Sequence, residues 1–264
     1  MNTHFLRQLR ALELEIAIPW MEPKGTVLEI GAGAGWQAKI LAERGFGIEA
    51  VDVAESEYRE VRIWPVKEYD GRHLPFEDHK FDLVLTSNVL EHIPCAEDFQ
   101  REVLRVLKPG GRALHVLPSA SWRAWTMVAH FPRLTMRRIE KIWEILRRSP
   151  SVPRGQVSIR VGAKILRILF GTVPLLFPPR HGARGNALTE LFYFSRFFWI
   201  PFFEKCGWQL DRCQPNRLFY TGHQLLEARL SLECRRRMSR LFGSACLLYM
   251  LRARDEQNSS DPEA

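Results

Sequence analysis

The chain contains 264 residues, of which 46% are hydrophobic, and it carries a formal net charge of +8. This apolar fraction is sufficient for a packed core and excludes a globally disordered protein. Five scattered cysteines, with no CxxC pair and no zinc-site spacing, argue against a disulfide scaffold and indicate a reducing compartment.

The sequence has no apolar run of the ~18 residues that a membrane-spanning helix needs. Its N-terminal segment mixes charged with apolar residues, which is unlike the apolar segment of a signal peptide. We therefore expect a cytoplasmic protein that at most lies peripherally on the inner face of a membrane.

The predicted elements fall into regions of different character. Residues 1–24 predict one amphipathic helix, because apolar side chains recur at helical spacing. Residues 25–118 alternate short apolar strands with helical stretches, which is typical of βαβ units and a parallel sheet. The strands are predicted at 26–30, 47–53, 81–86 and 112–117, and the helices at 36–44 and 96–107. The remaining predicted segments are a basic and aromatic insertion at 119–194, the end of the core sheet at 195–222 with strands at 208–212 and 217–222, a C-terminal helical segment at 223–254, and a disordered tail at 255–264.

The strongest local signal is a strand that runs into a glycine-rich turn, Gly31, Gly33 and Gly35, which opens a helix. Glycine permits a tight turn and a close approach of the backbone to a ligand. The next position is Trp36 and no P-loop lysine follows, so neither a nicotinamide-binding turn nor a P-loop matches. Glu29, two residues before the first glycine, favours a ligand with an ammonium group over a pyrophosphate.

An acidic residue, Asp52, ends the second predicted strand. A carboxylate at that strand end can accept hydrogen bonds from both hydroxyls of a ribose, as in dinucleotide-binding folds. The alternative is an ordinary helix N-cap.

Further motifs follow in order: Tyr69-Asp70-Gly71, residues 81–93 with Ser87-Asn88 and Glu91-His92, and residues 105–111. Together with the glycine turn they resemble the class I S-adenosylmethionine-dependent methyltransferases, within the broad group that contains the ubiquinone- and menaquinone-type enzymes. The resemblance covers residues 25–118, and more weakly 195–222. It implies a Rossmann-like α/β fold: a mostly parallel seven-stranded sheet, helices on both faces, and an α-rich insertion over the carboxyl ends of the strands.

The resemblance also implies S-adenosylmethionine as the methyl donor and a set of residues around it. Those residues are Glu29, Gly31, Ala32, Gly33, Asp52, Asp70, Gly71, Ser87 and Asn88. In this set Glu29 would orient the amino group of the donor, directly or through water, and Asp52 would bind the ribose. Asp70 would meet the adenine amino group, and Ser87 and Asn88 would lie below the sulfonium.

Two histidines compete as catalytic base or acceptor-binding group. His92 follows the fourth strand near the donor, and His181 lies in a glycine-rich polar loop of the kind that often carries binding groups. The alternatives are a helix-start histidine held by hydrogen bonds and a histidine in a surface turn. No acidic cluster stands apart from the donor residues, so we expect no metal and disfavour Mg²⁺-dependent catechol-type chemistry.

The basic charge is concentrated in the insertion, where residues 119–180 contain twelve Arg/Lys and two Glu, a local charge of +10. An apolar stretch at 165–177 lies among these basic residues, which favours contact with an anionic membrane surface. A solvated basic helix packed on the sheet is the alternative. Eight aromatic residues between Phe192 and Phe203 indicate core packing and a cavity for a large apolar acceptor.

The sequence therefore predicts methyl transfer to oxygen on a small-molecule, glycan or lipid-linked acceptor. Two alternatives stay open: an RNA or protein methyltransferase that docks through the basic insertion, and a non-catalytic donor-binding scaffold at a membrane. Nucleic acid is the less favoured partner, since the chain has no appended RNA-binding motif and no Asn-Pro-Pro-aromatic sequence. The oligomeric state is left open.

Overall fold

The computed structural model describes residues 3–147, 178–222 and 229–254. The strands in these residues are β1 (Thr26–Ile30), β2 (Gly47–Val53), β3 (Lys67–Tyr69), β4 (Phe81–Ser87), β5 (Leu107–Pro118), β6 (Trp208–Pro215) and β7 (Cys246–Ala253). They form one seven-stranded sheet in the order β3-β2-β1-β4-β5-β7-β6. Strands β1 to β5 are parallel, and β7 is antiparallel to both β5 and β6. The predicted fold class is confirmed.

Helices cover both faces of this sheet. In the described residues they are α1 (Thr3–Ala17), α2 (Trp36–Glu43), α3 (Ala96–Val106), α4 (Ala120–Arg147), α5 (Glu190–Tyr193), α6 (Arg196–Lys205) and α7 (Leu232–Phe242). Apolar residues of α1 and α2 pack on one face, and those of α3 and α6 pack on the other. Burying one large apolar side chain stabilises a fold by about 1.5–3 kcal/mol, so these two layers stabilise the sheet that positions the site.

The start of the sheet is held by polar contacts around Asp82. Its carboxylate accepts hydrogen bonds from the backbone N–H of Thr26 at 2.7 Å and from Lys108 Nζ at 2.9 Å. These contacts join β4 to the first residue of β1 and to β5, so they set the register of three strands. Asp82 thus has a structural role at the base of the sheet.

The prediction for the C-terminal part of the sheet is wrong in two places. Residues 217–222 are not a strand, because Arg217 has a φ of +53° and the Asn216 side chain accepts a hydrogen bond from the N–H of Leu218. The predicted helical segment 223–254 contains α7 but ends in β7. Strand β7 lies between two others and is buried on both faces, so its sequence lacks the alternation that identifies a strand.

The insertion begins with α4, a helix of 28 residues that continues through Pro132. Its helical character agrees with the predicted basic helix. The apolar stretch at 165–177 and the tail at 255–264 lie outside the described residues. Within the described part of the chain, no helix has both the length and the apolar content needed to cross a bilayer.

Candidate functional site

A cavity of about 550 Å³ lies where β1, β2 and β4 end. Parallel strands present their carboxyl ends at the same edge, and ligands of open α/β sheets bind in the crevice outside that edge. Most of the predicted donor residues line this cavity, namely Gly31, Ala32, Gly33, Asp52, Gly71, Ser87 and Asn88. Their roles toward a donor stay predictions, but the fold brings seven residues from four separate places in the chain to one cavity.

The glycine turn after β1 has the backbone shape that only glycine adopts readily. Gly31 has a φ of +73° and Gly33 a φ of +57°. A Cβ atom on Gly31 would collide with the side chain of Val89, and one on Gly33 would lie 3.3 Å from the Tyr58 ring. The turn therefore passes closely under residues that follow β4 and β2.

The carboxylate of Asp52 organises the two turns that border the cavity. Its Oδ2 accepts hydrogen bonds from the backbone N–H of Gly33 at 3.0 Å and from Ser56 Oγ at 2.7 Å. Its Oδ1 accepts from the N–H of Val53 at 2.9 Å. Asp52 thus ties the end of β2 to the glycine turn, and its carboxylate forms part of the cavity wall.

Glu29 is buried beside the glycine turn and is not among the residues that line the cavity. Burial raises its pKa to about 8, although a hydrogen bond from the backbone of Ala38 in α2 opposes that rise. Its Oε2 accepts no hydrogen bond from any described residue. One oxygen therefore serves the first turn of α2, while the other is available to a donor group that reaches it directly or through water.

Asp70 lies just outside the cavity, and its carboxylate closes a turn. Oδ1 accepts from the backbone N–H groups of Arg72 at 2.8 Å and His73 at 2.7 Å. These backbone hydrogen bonds lower the pKa of Asp70 to about 2. Its neighbour Gly71, with a φ of +76°, is the member of this pair that lines the cavity. The contact of Asp70 with adenine remains a prediction.

The floor of the cavity contains a basic residue that the sequence analysis did not single out. With the Asn88 amide oriented so that both of its polar atoms have partners, its oxygen accepts from Arg10 Nη1 at 2.7 Å. Arg10 also donates to Glu13 Oε2 at 2.6 Å. Asn88 follows β4 with a φ of +56°, and Arg10 comes from α1. Helix α1 therefore closes one side of the cavity.

This contact continues into a buried polar cluster. Glu13 Oε1 accepts from Tyr220 OH at 2.7 Å and from Asn216 Nδ2 at 2.8 Å. The Tyr220 hydroxyl lies 3.0 Å from Cys246 Sγ at the start of β7. Burial raises the pKa of the Cys246 thiol well above its ordinary value, so Cys246 is a neutral member of the cluster.

Aromatic rings form another part of the wall that the sequence analysis missed. Trp36, Tyr58 and Tyr69 all line the cavity, and the rings of Trp36 and Tyr58 meet edge to face at 5.9 Å between centroids. Tyr58 lies six residues beyond Asp52, in a loop. Loop residues have no periodic sequence pattern that would predict which side chains line a cavity. By contrast, none of the eight aromatic residues between Phe192 and Phe203 is in this wall, and four of them are core residues: Phe194, Trp199, Phe202 and Phe203.

The two competing histidines lie side by side. The ring centroids of His92 and His181 are 4.8 Å apart, and the Trp122 ring lies 4.7 Å from that of His181. His92 is one of the residues that line the cavity, whereas His181, whose ring contacts that of His92, is not. Burial lowers the pKa of His92, and burial together with His92 and Arg123 lowers the pKa of His181 to about 4. Both imidazoles are therefore neutral at pH 7 and have a free lone pair to offer.

The loop that carries His181 is anchored on both sides. The carboxylate oxygen Oε1 of Glu190 accepts from the backbone N–H groups of His181 at 2.7 Å and Gly182 at 2.6 Å. The N–H of Ala183 donates to the backbone carbonyl of Glu91 at 2.8 Å. A Cβ on Gly182 would lie 2.9 Å from that same carbonyl, so glycine allows the loop to approach the end of β4.

Comparisons with known proteins agree with this architecture. Residues 28–115 match the model of a family described as "Methyltransferase domain". An uncharacterized methyltransferase of Mycobacterium sp. (strain KMS) is 40% identical over 96 residues, which span 34% of this chain and 37% of that protein. A ubiquinone biosynthesis O-methyltransferase of Idiomarina loihiensis is 26% identical over 112 residues, which span 38% of this chain and 45% of that protein.

The alignments thus span less than half the length of these curated relatives. Among solved structures, an S-adenosylmethionine-dependent methyltransferase from Mesorhizobium loti superposes with a TM-score of 0.52 at 15% identity, covering 91% of this chain and 97% of that one. That likeness shows the fold. The resemblance inferred from the sequence motifs is confirmed.

Proposed function

Because residues 28–115 belong to the methyltransferase domain family, we propose that the protein transfers a methyl group from S-adenosylmethionine to an oxygen atom of a small-molecule, glycan or lipid-linked acceptor. The observation that carries this proposal is the convergence of seven donor-type residues on one cavity at the carboxyl ends of β1, β2 and β4. The cavity volume of about 550 Å³ is within the range of small-molecule sites.

The residues present fit this cofactor in three respects. A buried carboxylate oxygen of Glu29 has no described partner and suits an ammonium group. The Asp52 carboxylate on the wall suits a pair of ribose hydroxyls, and the aromatic rings of Tyr58 and Tyr69 suit a flat base. When bound, S-adenosylmethionine supplies a methyl group on a positively charged sulfur.

The protein's own part in the reaction is to align the acceptor, exclude water and accept a proton. Methyl transfer breaks the sulfur–carbon bond and forms an oxygen–carbon bond, while the hydroxyl proton must leave the acceptor. His92, at the cavity wall, and His181 beside it are neutral imidazoles that can take this proton. The name of the Idiomarina relative, an O-methyltransferase, supports oxygen as the methylated atom.

The exposed apolar surface of helix α4 favours a lipid-linked acceptor. Large apolar side chains are exposed along one helix face; they are Val128, Phe131, Met136, Ile139 and Trp143. Arg147 borders that face, and its guanidinium lies over the Trp143 ring at 6.0 Å, while the same helix also carries the exposed basic residues Arg137 and Lys141. Each basic residue near an anionic membrane contributes about 1 kcal/mol, so a few of them suffice for reversible docking.

The acceptor class is tested by labelling. Purified protein is incubated with methyl-tritiated S-adenosylmethionine and a cell extract, and the counts are partitioned among lipid, glycan, small-molecule, RNA and protein fractions. Counts in the first three fractions support the proposal. Counts confined to RNA or protein contradict it in favour of a macromolecular methyltransferase, and saturable donor binding without any incorporation favours a non-catalytic scaffold.

The histidines are tested separately from the donor site. We expect His181→Ala and His92→Ala to lower kcat at least about tenfold, in line with the loss of a general base, while the calorimetric Kd of S-adenosylhomocysteine stays unchanged. His4→Ala, which removes an exposed histidine of α1, is the matched control. Equal loss of turnover and donor affinity in the two variants contradicts the assignment.

Docking through α4 is tested with liposomes. Trp143→Ala and Ile139→Ala should reduce co-sedimentation with phosphatidylserine-containing vesicles, and added salt should weaken it because exposed charges are screened. Leu241→Ala removes an even more exposed apolar side chain outside α4 and should bind as the wild type does. Binding to RNA in a gel shift, with no binding to vesicles, contradicts a membrane role.

A further inference from the structure

Next to the donor cavity lies a group of three side chains with metal-ligating atoms. Glu91, His92 and His181 each present one such atom, and the three atoms lie within 4.8 Å of one another. The distance from His92 Nε2 to Glu91 Oε1 is 3.7 Å. Glu91 and His92 are consecutive in the short 3₁₀ turn Leu90–His92 after β4, whereas His181 comes from the loop before α5.

The Glu91 carboxylate is the unexplained member of this group. Its side chain is fully buried, and neither of its oxygens accepts a hydrogen bond from another described residue. A buried carboxylate without hydrogen-bond partners is costly, and a cation is one of the few partners that removes this cost. Its position between the end of β4 and the His181 loop makes the two imidazoles the nearest ligand-type groups.

From these contacts, the geometry points to a divalent transition-metal site formed by Glu91, His92 and His181, with Zn²⁺ as the ion that suits it best. Two imidazoles and one carboxylate are the protein ligands of one class of catalytic zinc site, which keeps a further position open. Ligand atoms about 2.0–2.2 Å from a tetrahedral zinc are about 3.4 Å apart. The 3.7 Å pair is close to that spacing already, and the ligand atom of His181 lies within 4.8 Å of both members of that pair.

The surroundings hold the ligands in place. The Ala183 N–H fastens the His181 loop to the Glu91 carbonyl, and Glu190 binds the backbone of His181 itself. Such outer contacts orient ligands and typically change metal affinity by about 10- to 100-fold when they are removed.

The site also has a consequence for catalysis, which rests on the proposed function. His92 belongs to the wall of the donor cavity, so an ion held by these three residues would lie at that wall. It would supply a Lewis acid that lowers the pKa of an acceptor hydroxyl, and the hydroxyl proton would leave to water. The sulfur–carbon bond breaks and the oxygen–carbon bond forms as before. With the ion bound, the two histidines would hold it and would not take the proton, whereas without the ion they remain the groups that can accept it.

The test is a binding measurement on the full-length protein after treatment with a chelator and gel filtration. Zn²⁺ is titrated against a competing chromophoric chelator, and Co²⁺ binding is followed by its visible absorption. We expect one high-affinity Zn²⁺ site, a Co²⁺ spectrum typical of four- or five-fold coordination, and at least about tenfold weaker binding in Glu91→Gln, His92→Ala and His181→Ala. His4→Ala should bind as the wild type does.

Two outcomes overturn the metal site: Zn²⁺ titrations that are the same in the wild type and in the three variants, or the same loss in His4→Ala. His181→Ala changes an exposed loop side chain, so this variant keeps the test valid if Glu91→Gln fails to fold. A calorimetric titration with S-adenosylhomocysteine separates the two proposals. Zn²⁺ binding without donor binding contradicts the methyltransferase function alone, whereas donor binding and methyl transfer that persist without Zn²⁺ uptake contradict the metal site alone.

Discussion

The Arg123 guanidinium and the Glu190 carboxylate form an ion pair, with 2.8 Å between Nε and Oε2, and both side chains are almost completely buried. The other oxygen of Glu190 binds the backbone of His181 and Gly182. Arg123 also donates to the backbone carbonyl of Pro179 at 2.8 Å. This pair therefore joins α4 and α5 to the loop that carries His181 at the edge of the cavity.

Glu190→Gln should destabilise the protein by about 3–5 kcal/mol, because it leaves the buried Arg123 without a counter-charge. The double variant Arg123→Met with Glu190→Gln should recover most of that loss, since it removes both charges and keeps an oxygen acceptor for the two backbone amides. Unfolding in urea measures both values. A double variant as unstable as Glu190→Gln alone would show that the charge is not the cause.

The glycine turn gives a second test, with a matched control in the same chain. Gly31 and Gly45 both have positive φ values, +73° and +86°, but only a Cβ on Gly31 meets other atoms within 4 Å. Gly45→Ala should lower the free energy of unfolding by about 1–2 kcal/mol, because alanine is strained in the left-handed backbone conformation. Gly31→Ala should cost more, because the added methyl group collides with Val89.

A second substitution tests whether the additional loss of stability in Gly31→Ala comes from the collision with Val89. Adding Val89→Ala makes room for the methyl group and should recover part of the stability, while the backbone strain remains. Thermal or urea unfolding of the three variants and the wild type gives the comparison. If Gly31→Ala and Gly45→Ala were equally destabilising, the close approach of Val89 to the turn would not contribute to the loss of stability.

Much of the sheet could be predicted from the sequence because its signals are local. The strands that became β1, β2 and β4 start at the predicted residues, and α2 and α3 each end within a residue of their predicted ends. The failures have physical causes. Strand β3 is three residues long and polar at the sheet edge, and β7 is apolar on both faces because it lies between two other strands.

The candidate site was predictable where its residues follow strands in sequence and unpredictable where the fold joins distant segments. The donor-side residues come from turns directly after β1, β2 and β4, and that position is visible in the sequence. Arg10 meets Asn88, and Arg123 meets Glu190, across separations that no periodic pattern reveals. The sequence likewise presented His92 and His181 as competitors, although they are neighbours in space.

Stability should depend on pH through Glu29. Burial raises its pKa from 4.5 to about 8, so the folded protein holds a proton that the unfolded chain has already lost between those values. Where the folded state binds more protons, stability falls as pH rises, here by at most about 1.4 kcal/mol per pH unit for one such group. The contribution is fully present below pH 4.5 and lost once the pH exceeds about 8.

Urea unfolding between pH 5 and pH 8, in the presence of a chelator, measures this slope. Glu29→Gln should make this fall in stability less steep. Glu91 adds to the fall, because burial raises its pKa to about 8 as well, whereas the lowered pKa values of His92 and His181 oppose it below about pH 6.5. Glu22→Gln, at an exposed position, should keep the wild-type slope. An unchanged slope in Glu29→Gln would mean that its carboxyl ionises normally in the folded protein.

Donor affinity should depend on Asp52 and not on the other acidic residue of the same strand. Asp52 accepts three hydrogen bonds at the cavity wall, whereas Glu49 is half exposed and paired with Lys80 at 3.3 Å. Hydrogen bonds to a charged group are worth about 1.5–3 kcal/mol. Asp52→Asn should therefore weaken S-adenosylhomocysteine binding by roughly 10- to 100-fold, while Glu49→Gln should leave it unchanged. Isothermal titration calorimetry measures both. Wild-type affinity in Asp52→Asn would mean that this carboxylate only ties the loop of Ser56 to the glycine turn.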